Sequence, residues 1–356
     1  MTSKTKIRIR RPDDFHVHLR QGEMLSHVVG ATATTFGRAL VMPNTTPPIR
    51  TGADAMAYKA RILDAIRTVL GADWGFEPLM TIKLLPTTTA DTVRDAHAAG
   101  VVAAKLYPAG VTTNSDDGIQ VDMLGDISMD RRVFEAMQEA DMVLCLHGEV
   151  PGLYCLDRET FFLGALRKLS ADYPRLRIVL EHVTTHRAVD VVATLPRNVA
   201  ATITAHHLLL TLDDVVGDKL RPHHFCKPIA KHPIDRQALI GAATGGNPKF
   251  FLGTDSAPHA RNTKECDSGC AGVYTAPVAM EVIAEVFEQA SALERLENFT
   301  SVFGAHFYRL PPNEDYVELV KEPVDVPKEL PGGLVPFRAG ERLSWLIQAD
   351  EPKRSA

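Results

Sequence analysis

"FHVHLRQGEML", residues 15–25, decides between the two architectures open to this chain. Its first half is a short apolar run with two histidines two positions apart. On a strand that period places His16, His18 and Arg20 on one face and Phe15, Val17 and Leu19 on the other. Its second half leaves the strand with a single glycine, so the glycine-rich phosphate turn that opens a doubly wound nucleotide-binding sheet is missing.

Outward from this stretch, seven further runs rich in β-branched and aliphatic residues read as strands: "RALVM" (38–42), "PLMTIKLL" (78–85), "VVAAKLY" (101–107), "MVLCLH" (142–147), "RIVLEH" (177–182), "VAATITA" (199–205) and "KFFLGTD" (249–255). Amphipathic stretches separate several of them. Over 53–70, Met56, Ile62, Leu63, Ile66, Val69 and Leu70 fall near one helical face, and Gly71 supplies a stop. Eight strands alternating with helices over about 250 residues match the size at which a (β/α)8 TIM barrel closes. Residues 1–310 are therefore expected to form the barrel. Residues 311–356, with "YVELV", "LVPF" and "LSWLI" between prolines and glycines, are expected to form a C-terminal extension of short strands packed on it.

Composition narrows the function classes. In 356 residues, 39 basic side chains against 44 acidic ones show no polyanion-binding excess, which argues against nucleic acid as a partner. No apolar run is long enough to span a bilayer and the first residues lack the apolar core of a secretory signal, so a cytoplasmic protein is expected, with no membrane partner. Five scattered cysteines are an odd number and point to reduced thiols; Cys266 and Cys270 are a C-x3-C pair, a weak metal signal without a second pair.

In a barrel of this kind all strand C-termini open onto one face. There they deliver His16 and His18, Lys105, His147, His182 and Asp255. Singly, each is an ordinary buried histidine or helix-capping aspartate. Together, four imidazoles and a carboxylate on one rim are the donor set that zinc prefers. Lys105 is the odd member, because an ammonium repels the cation it would serve. The residues leave two outcomes open: carboxylation by carbon dioxide to a metal-bridging carbamate, or a salt bridge to Glu149 or Asp255.

The motifs "FHVHLR", "VMPNTTPP", "AAKLYPAG", "LHGEV", "LEHVTT" and "FLGTDSAPHA", in this order from about residue 10 onward, resemble the dihydroorotases of the amidohydrolase superfamily, in their short bacterial and plant form. With so few residues before the first motif, the β-sandwich of hydantoinases and ureases is not expected here. The resemblance implies two zinc ions. His16, His18, carboxylated Lys105 and Asp255 would hold the more buried one, and Lys105, His147 and His182 the other. It implies a water or hydroxide shared by the two ions as nucleophile, Asp255 as general base and acid, and reversible opening of (S)-dihydroorotate to N-carbamoyl-L-aspartate in pyrimidine synthesis. Arg20, Asn44 and His259 would hold the substrate carboxylate, and backbone groups near Lys227 and Ala271 the amide edges of the ring. Thr112 and Thr113 would sit on a mobile lid, and Lys227 stands where an apolar residue is expected. His206 and His207 are read as core or supporting residues, and Tyr107 and Glu149 as orienters of ligands. A homodimer is usual among similar enzymes. Two other readings remain: an amidohydrolase acting on hydantoin-like or allantoin-like rings, against which the carboxylate-binding set argues, and a noncatalytic barrel scaffold, against which the intact ligand set argues.

Overall fold

Strand β1 (Lys6–Arg10) precedes eight strands that lie in chain order in one parallel sheet: β2 (Asp13–Val17), β3 (Arg38–Val41), β4 (Glu77–Lys83), β5 (Ala103–Leu106), β6 (Val143–Leu146), β7 (Ile178–Leu180), β8 (Val199–Ile203) and β9 (Phe250–Leu252). The computed structural model describes residues 5–72 and 74–349. The sheet closes on itself: Asp255 N donates to the His16 carbonyl at 2.8 Å and His18 N to the Ser256 carbonyl at 3.0 Å. Parallel neighbours need crossovers, and helices supply them, giving the expected (β/α)8 barrel.

The strands read as continuous apolar runs because both of their faces are buried. Leu40, Leu79, Ala103, Val143, Val179, Ala200 and Phe251 fill the barrel interior with Phe15, while Ala39, Met80, Ala104, Leu144, Ile178, Ala201 and Phe250 join the core beneath the helices. Where the strands begin, Phe15 stacks on Tyr308 with centroids 4.7 Å apart and meets Phe251 edge-on at 5.4 Å. This end is a plug, so the chemistry is left to the other end.

The helix foreseen at 53–70 spans Gly52–Leu70, opened by a capping box in which Thr51 Oγ1 accepts from Asp54 N and Asp54 Oδ2 from Thr51 N, and stopped at Gly71 with φ 68°. Its buried face is rotated from the expected one: Ala55, Tyr58, Ile62 and Ile66 are buried, whereas Val69 is exposed.

In the extension, β10 (Tyr316–Val320) pairs antiparallel with β1 and with β13 (Leu346–Ala349), while β11 (Val324–Asp325) pairs with β12 (Arg342–Leu343). The chain's first strand thus belongs to the same small sheet as its last. "LVPF" is not a strand; Leu334 and Pro336 make isolated bridges to Ala260 and Tyr274, against the segments that follow β9.

Candidate active site and metal centre

The period-two expectation for His16, His18 and Arg20 needs correction. Strand β2 shifts register between Asp14 and Val17 and ends at Val17, and Arg20 follows in the left-handed region at φ 61°. A bulge and a tight turn aim the three side chains together, in place of a single strand face. His182 (φ 41°) and Asp255 (φ 46°) use the same device just beyond their strands. Each such non-glycine residue costs about 1–3 kcal/mol, strain that typically gathers at functional sites.

These turns bring the predicted ligands together. Asp255 Oδ1 lies 3.3 Å from His16 Nε2 and 3.1 Å from His18 Nε2. The His182 ring centroid is 5.0 Å from that of His16 and 4.8 Å from that of His147. Burial pulls His18 down to about 4 despite Asp255, and His182 and His147 also fall, so these imidazoles are neutral, the form that binds metal. For His16, burial and Lys105 act downward, but Glu181 and Asp255 outweigh them and raise it. Burial alone would raise Asp255, yet the contacts from His16 and His18 hold its carboxyl well below the usual range.

Lys105 is fully buried and its Nζ has no hydrogen-bond partner. The salt bridge considered as one alternative does not form: Glu149 pairs with His147 Nε2 at 2.7 Å, and Asp255 pairs with His16 and His18. Burial lowers the Lys105 pKa against the pull of Glu181, Cys145 and Asp255, and the uncharged amine is the form that adds carbon dioxide. Tyr107 stands over it, ring centroid 5.3 Å from Nζ, with its own hydroxyl unpartnered.

Sequence reasoning missed Glu181. Its Oε2 meets His16 Nδ1 at 2.9 Å and accepts from Thr202 Oγ1 at 2.6 Å, which fixes the His16 ring so that Nε2 faces Asp255. The signal was present: Glu181 follows Val179 by two, and Val179 faces into the barrel.

The residues fit a metal centre. Glu181 Oε1, His182 Nδ1 and Lys105 Nζ are buried without partners in one crowded floor, and unpartnered buried polar atoms are rare unless something else meets them. His16, His18 and Asp255 also place their ligand atoms within 4.8 Å of one another.

Above this floor, His18, Arg20, Asn44, Thr112, Thr113, Lys227, Asp255 and Ala271 line one cavity of about 20 Å³. Asn44 Nδ2 donates to the Thr113 carbonyl at 3.1 Å, and its Oδ1 is unpartnered. Lys264 Nζ donates to the carbonyls of Phe225, Cys270 and Gly272 at 3.1, 3.0 and 2.5 Å, tying together the segments that bear Lys227 and Ala271. His259 does not line this cavity; it sits in the adjoining outer one, where its Nε2 meets Arg20 Nη2 at 3.0 Å. Burial and Arg20 press His259 down to about 3, so its neutral ring accepts from the guanidinium and orients it.

The rival histidines lie apart from the strand-end ligands. His207 bonds Thr204 Oγ1 at 2.9 Å and the Pro228 carbonyl at 3.0 Å; His206 is buried with both ring nitrogens unpartnered. Both join Cys226 in a second group of ligand-type atoms. Cys266 is exposed and, among the described residues, no metal-type cluster contains it or Cys270.

Comparison with known proteins agrees with this geometry. The profile of the amidohydrolase family matches residues 13–318, and the chain belongs to that family. Within it, the dihydroorotase of Teredinibacter turnerae is 50% identical over 344 residues, 95% of this chain and 97% of that one. The crystal structure of Saccharomyces cerevisiae dihydroorotase in complex with 5-fluoroorotic acid superposes with a TM-score of 0.89 at 38% identity, covering 98% of this chain and 99% of that one. The Campylobacter jejuni dihydroorotase structure gives a TM-score of 0.88 at 37% identity, covering 98% and 99%. The chain is thus placed among the dihydroorotases, enzymes of a family that typically uses a metal centre.

Proposed function

We propose that the protein opens the cyclic amide of (S)-dihydroorotate to N-carbamoyl-L-aspartate and closes it again, the closing direction serving pyrimidine synthesis. One observation carries the reading: a cavity lined by Arg20, Asn44 and the Thr112–Thr113 pair also contains His18 and Asp255, so a carboxylate-binding set and a metal-type floor share one space. Hydantoin-like and allantoin-like rings lack the carboxylate that such a set serves.

His16, His18 and Asp255 would hold one zinc ion and His147 and His182 a second, with carboxylated Lys105 bridging them. Bound there, the pair would polarise the ring carbonyl and lower the pKa of water. The protein's own groups do the rest. Glu181 and Glu149 hold the rings of His16 and His147 in the required orientation. Asp255 Oδ1 faces Nε2 of both His16 and His18 and would hold the ion with them, leaving Oδ2 to take a proton from the attacking water and pass it to the leaving ring nitrogen. Arg20, oriented by His259 and by its Nε bond to the Pro258 carbonyl at 2.9 Å, clamps the substrate carboxylate with its remaining N–H groups, joined by Asn44. Backbone groups at Lys227 and Ala271 meet the amide edges of the ring. Thr112 and Thr113 close over the substrate; with about 20 Å³ free beneath them, their segment must lift for a substrate to enter.

We take the working unit to be a cytoplasmic homodimer, which sedimentation tests directly; among the described residues no helix is long and apolar enough to cross a membrane. The function is tested by assaying purified, zinc-loaded protein in both directions with dihydroorotate and N-carbamoyl-L-aspartate, beside hydantoin. Turnover of the first pair alone is expected. Equal turnover of hydantoin, or none of dihydroorotate at full metal content, would overturn the reading.

A further inference from the structure

Strand β4 ends in a lysine that none of these roles uses. Lys83 pairs in register with Lys105 of β5, and its side chain is 1% exposed. Its Nζ donates to the Asn114 carbonyl at 2.7 Å and forms an ion pair with the Asp117 carboxylate. Both partners lie on the segment after β5 that carries Thr112 and Thr113. A second, neutral tie runs through Asn44, which donates to the Thr113 carbonyl and accepts from Asn114 Nδ2 at 2.9 Å.

The two ties differ in kind. The Lys83 tie is charge-assisted and has one buried partner, which makes it the stronger of the two. Its other partner, Asp117, is 55% exposed, so the loop end of the pair is free to leave. Lifting the loop would leave the ammonium at the barrel mouth without its counter-charge, beside Tyr107, whose ring centroid is 5.9 Å away. Closure restores the pair, so the ion pair favours the closed loop.

We infer that Lys83 is a positioning residue, a latch that holds the 110–117 loop over the substrate cavity through Asp117 and the Asn114 carbonyl, and so sets Thr112 and Thr113 against the substrate. The inference rests on the dihydroorotase reading above. It assigns the end of β4 a part in loop closure, separate from metal binding and proton transfer.

The test compares Lys83→Met, Lys83→Arg and Asp117→Asn with the zinc-loaded wild type; Asp117 is exposed, so its variant leaves the fold intact. Hydrogen exchange read by mass spectrometry should show amides of 110–117 exchanging about tenfold faster in Lys83→Met and Asp117→Asn, the size of effect of one charge-assisted hydrogen bond. Amides of β6 and β7, and zinc content, should not change. The KM for dihydroorotate should rise about tenfold with a smaller fall in kcat, and Lys83→Arg should restore most of it. Wild-type loop exchange and KM in both Lys83→Met and Asp117→Asn would overturn the latch. If the wild type turned over no dihydroorotate, the functional reading would fail while loop exchange still decided the latch.

Discussion

Where the barrel strands begin, most charged groups are met within the protein, with Arg11 Nε an exception. Asp13, opening β2, accepts from Arg38 Nε and Nη2 at 2.9 and 2.6 Å and from Asn313 at 2.8 Å. Arg177, just before β7, donates to Asp141 at 2.9 Å and to the Phe307 carbonyl at 2.7 Å; Lys249, before β9, donates to the Val192 carbonyl at 2.8 Å. Where the same strands end, Lys105, Glu181, His182 and Asn44 each keep a buried polar atom with no partner. The contrast teaches that polarity inside a barrel has two uses: paired, it holds the fold together; unpaired and converging, it awaits a partner from outside.

The contrast predicts opposite consequences for mutation at the two ends. Asp255→Ala should cost the most in rate, about 10³-fold or more in ring opening, with the fold intact; near-normal turnover would remove Asp255 from proton transfer. Arg38→Met should leave kcat per folded molecule unchanged but destabilise the protein by about 3 kcal/mol in urea, because it strands Asp13 in the interior. A large loss of kcat there would erase the distinction between the ends. Arg20→Met should raise the KM for dihydroorotate by roughly 30-fold, about 2 kcal/mol of lost charge-assisted bonding, and an unchanged KM would place the carboxylate clamp elsewhere.

A buried acid away from both ends calibrates the comparison. Burial pushes Glu281, on the helix Ala279–Gln289, up to about 7 from 4.5. Its folded pKa is raised, so its stabilising contribution is complete below pH 4.5 and is lost as pH rises through 7. Glu281→Gln should therefore match the wild type in stability near pH 4.5 and exceed it by up to about 3 kcal/mol near pH 8, with kcat unchanged. Thermal denaturation across that range reads it.

Much of the mouth was legible in the sequence because a barrel turns strand ends into neighbours: once eight apolar runs were aligned, His16, His18, Lys105, His147, His182 and Asp255 fell on one rim. Glu181 and Lys83 escaped although each lies inside a run read as a strand and continues its inward period, two residues beyond Val179 and Thr81, because the period says which way a side chain points and not what it meets there. Strand β1 escaped for a different reason. "KIRIR" alternates well, but its partner β10 lies some three hundred residues away, and no local pattern announces so distant a pairing. The aim of Arg20 depends on a bulge and a left-handed turn, which a one-dimensional period cannot express.

The central claim is that the strand ends gather a metal pair around a modified Lys105. The most direct measurement is ¹³C NMR of zinc-loaded protein equilibrated with ¹³C-bicarbonate, beside elemental analysis. Two zinc ions per chain and one carbamate resonance, absent from Lys105→Ala, are expected. An unmodified amine with no carbamate signal, or wild-type zinc content in Lys105→Ala, would contradict it.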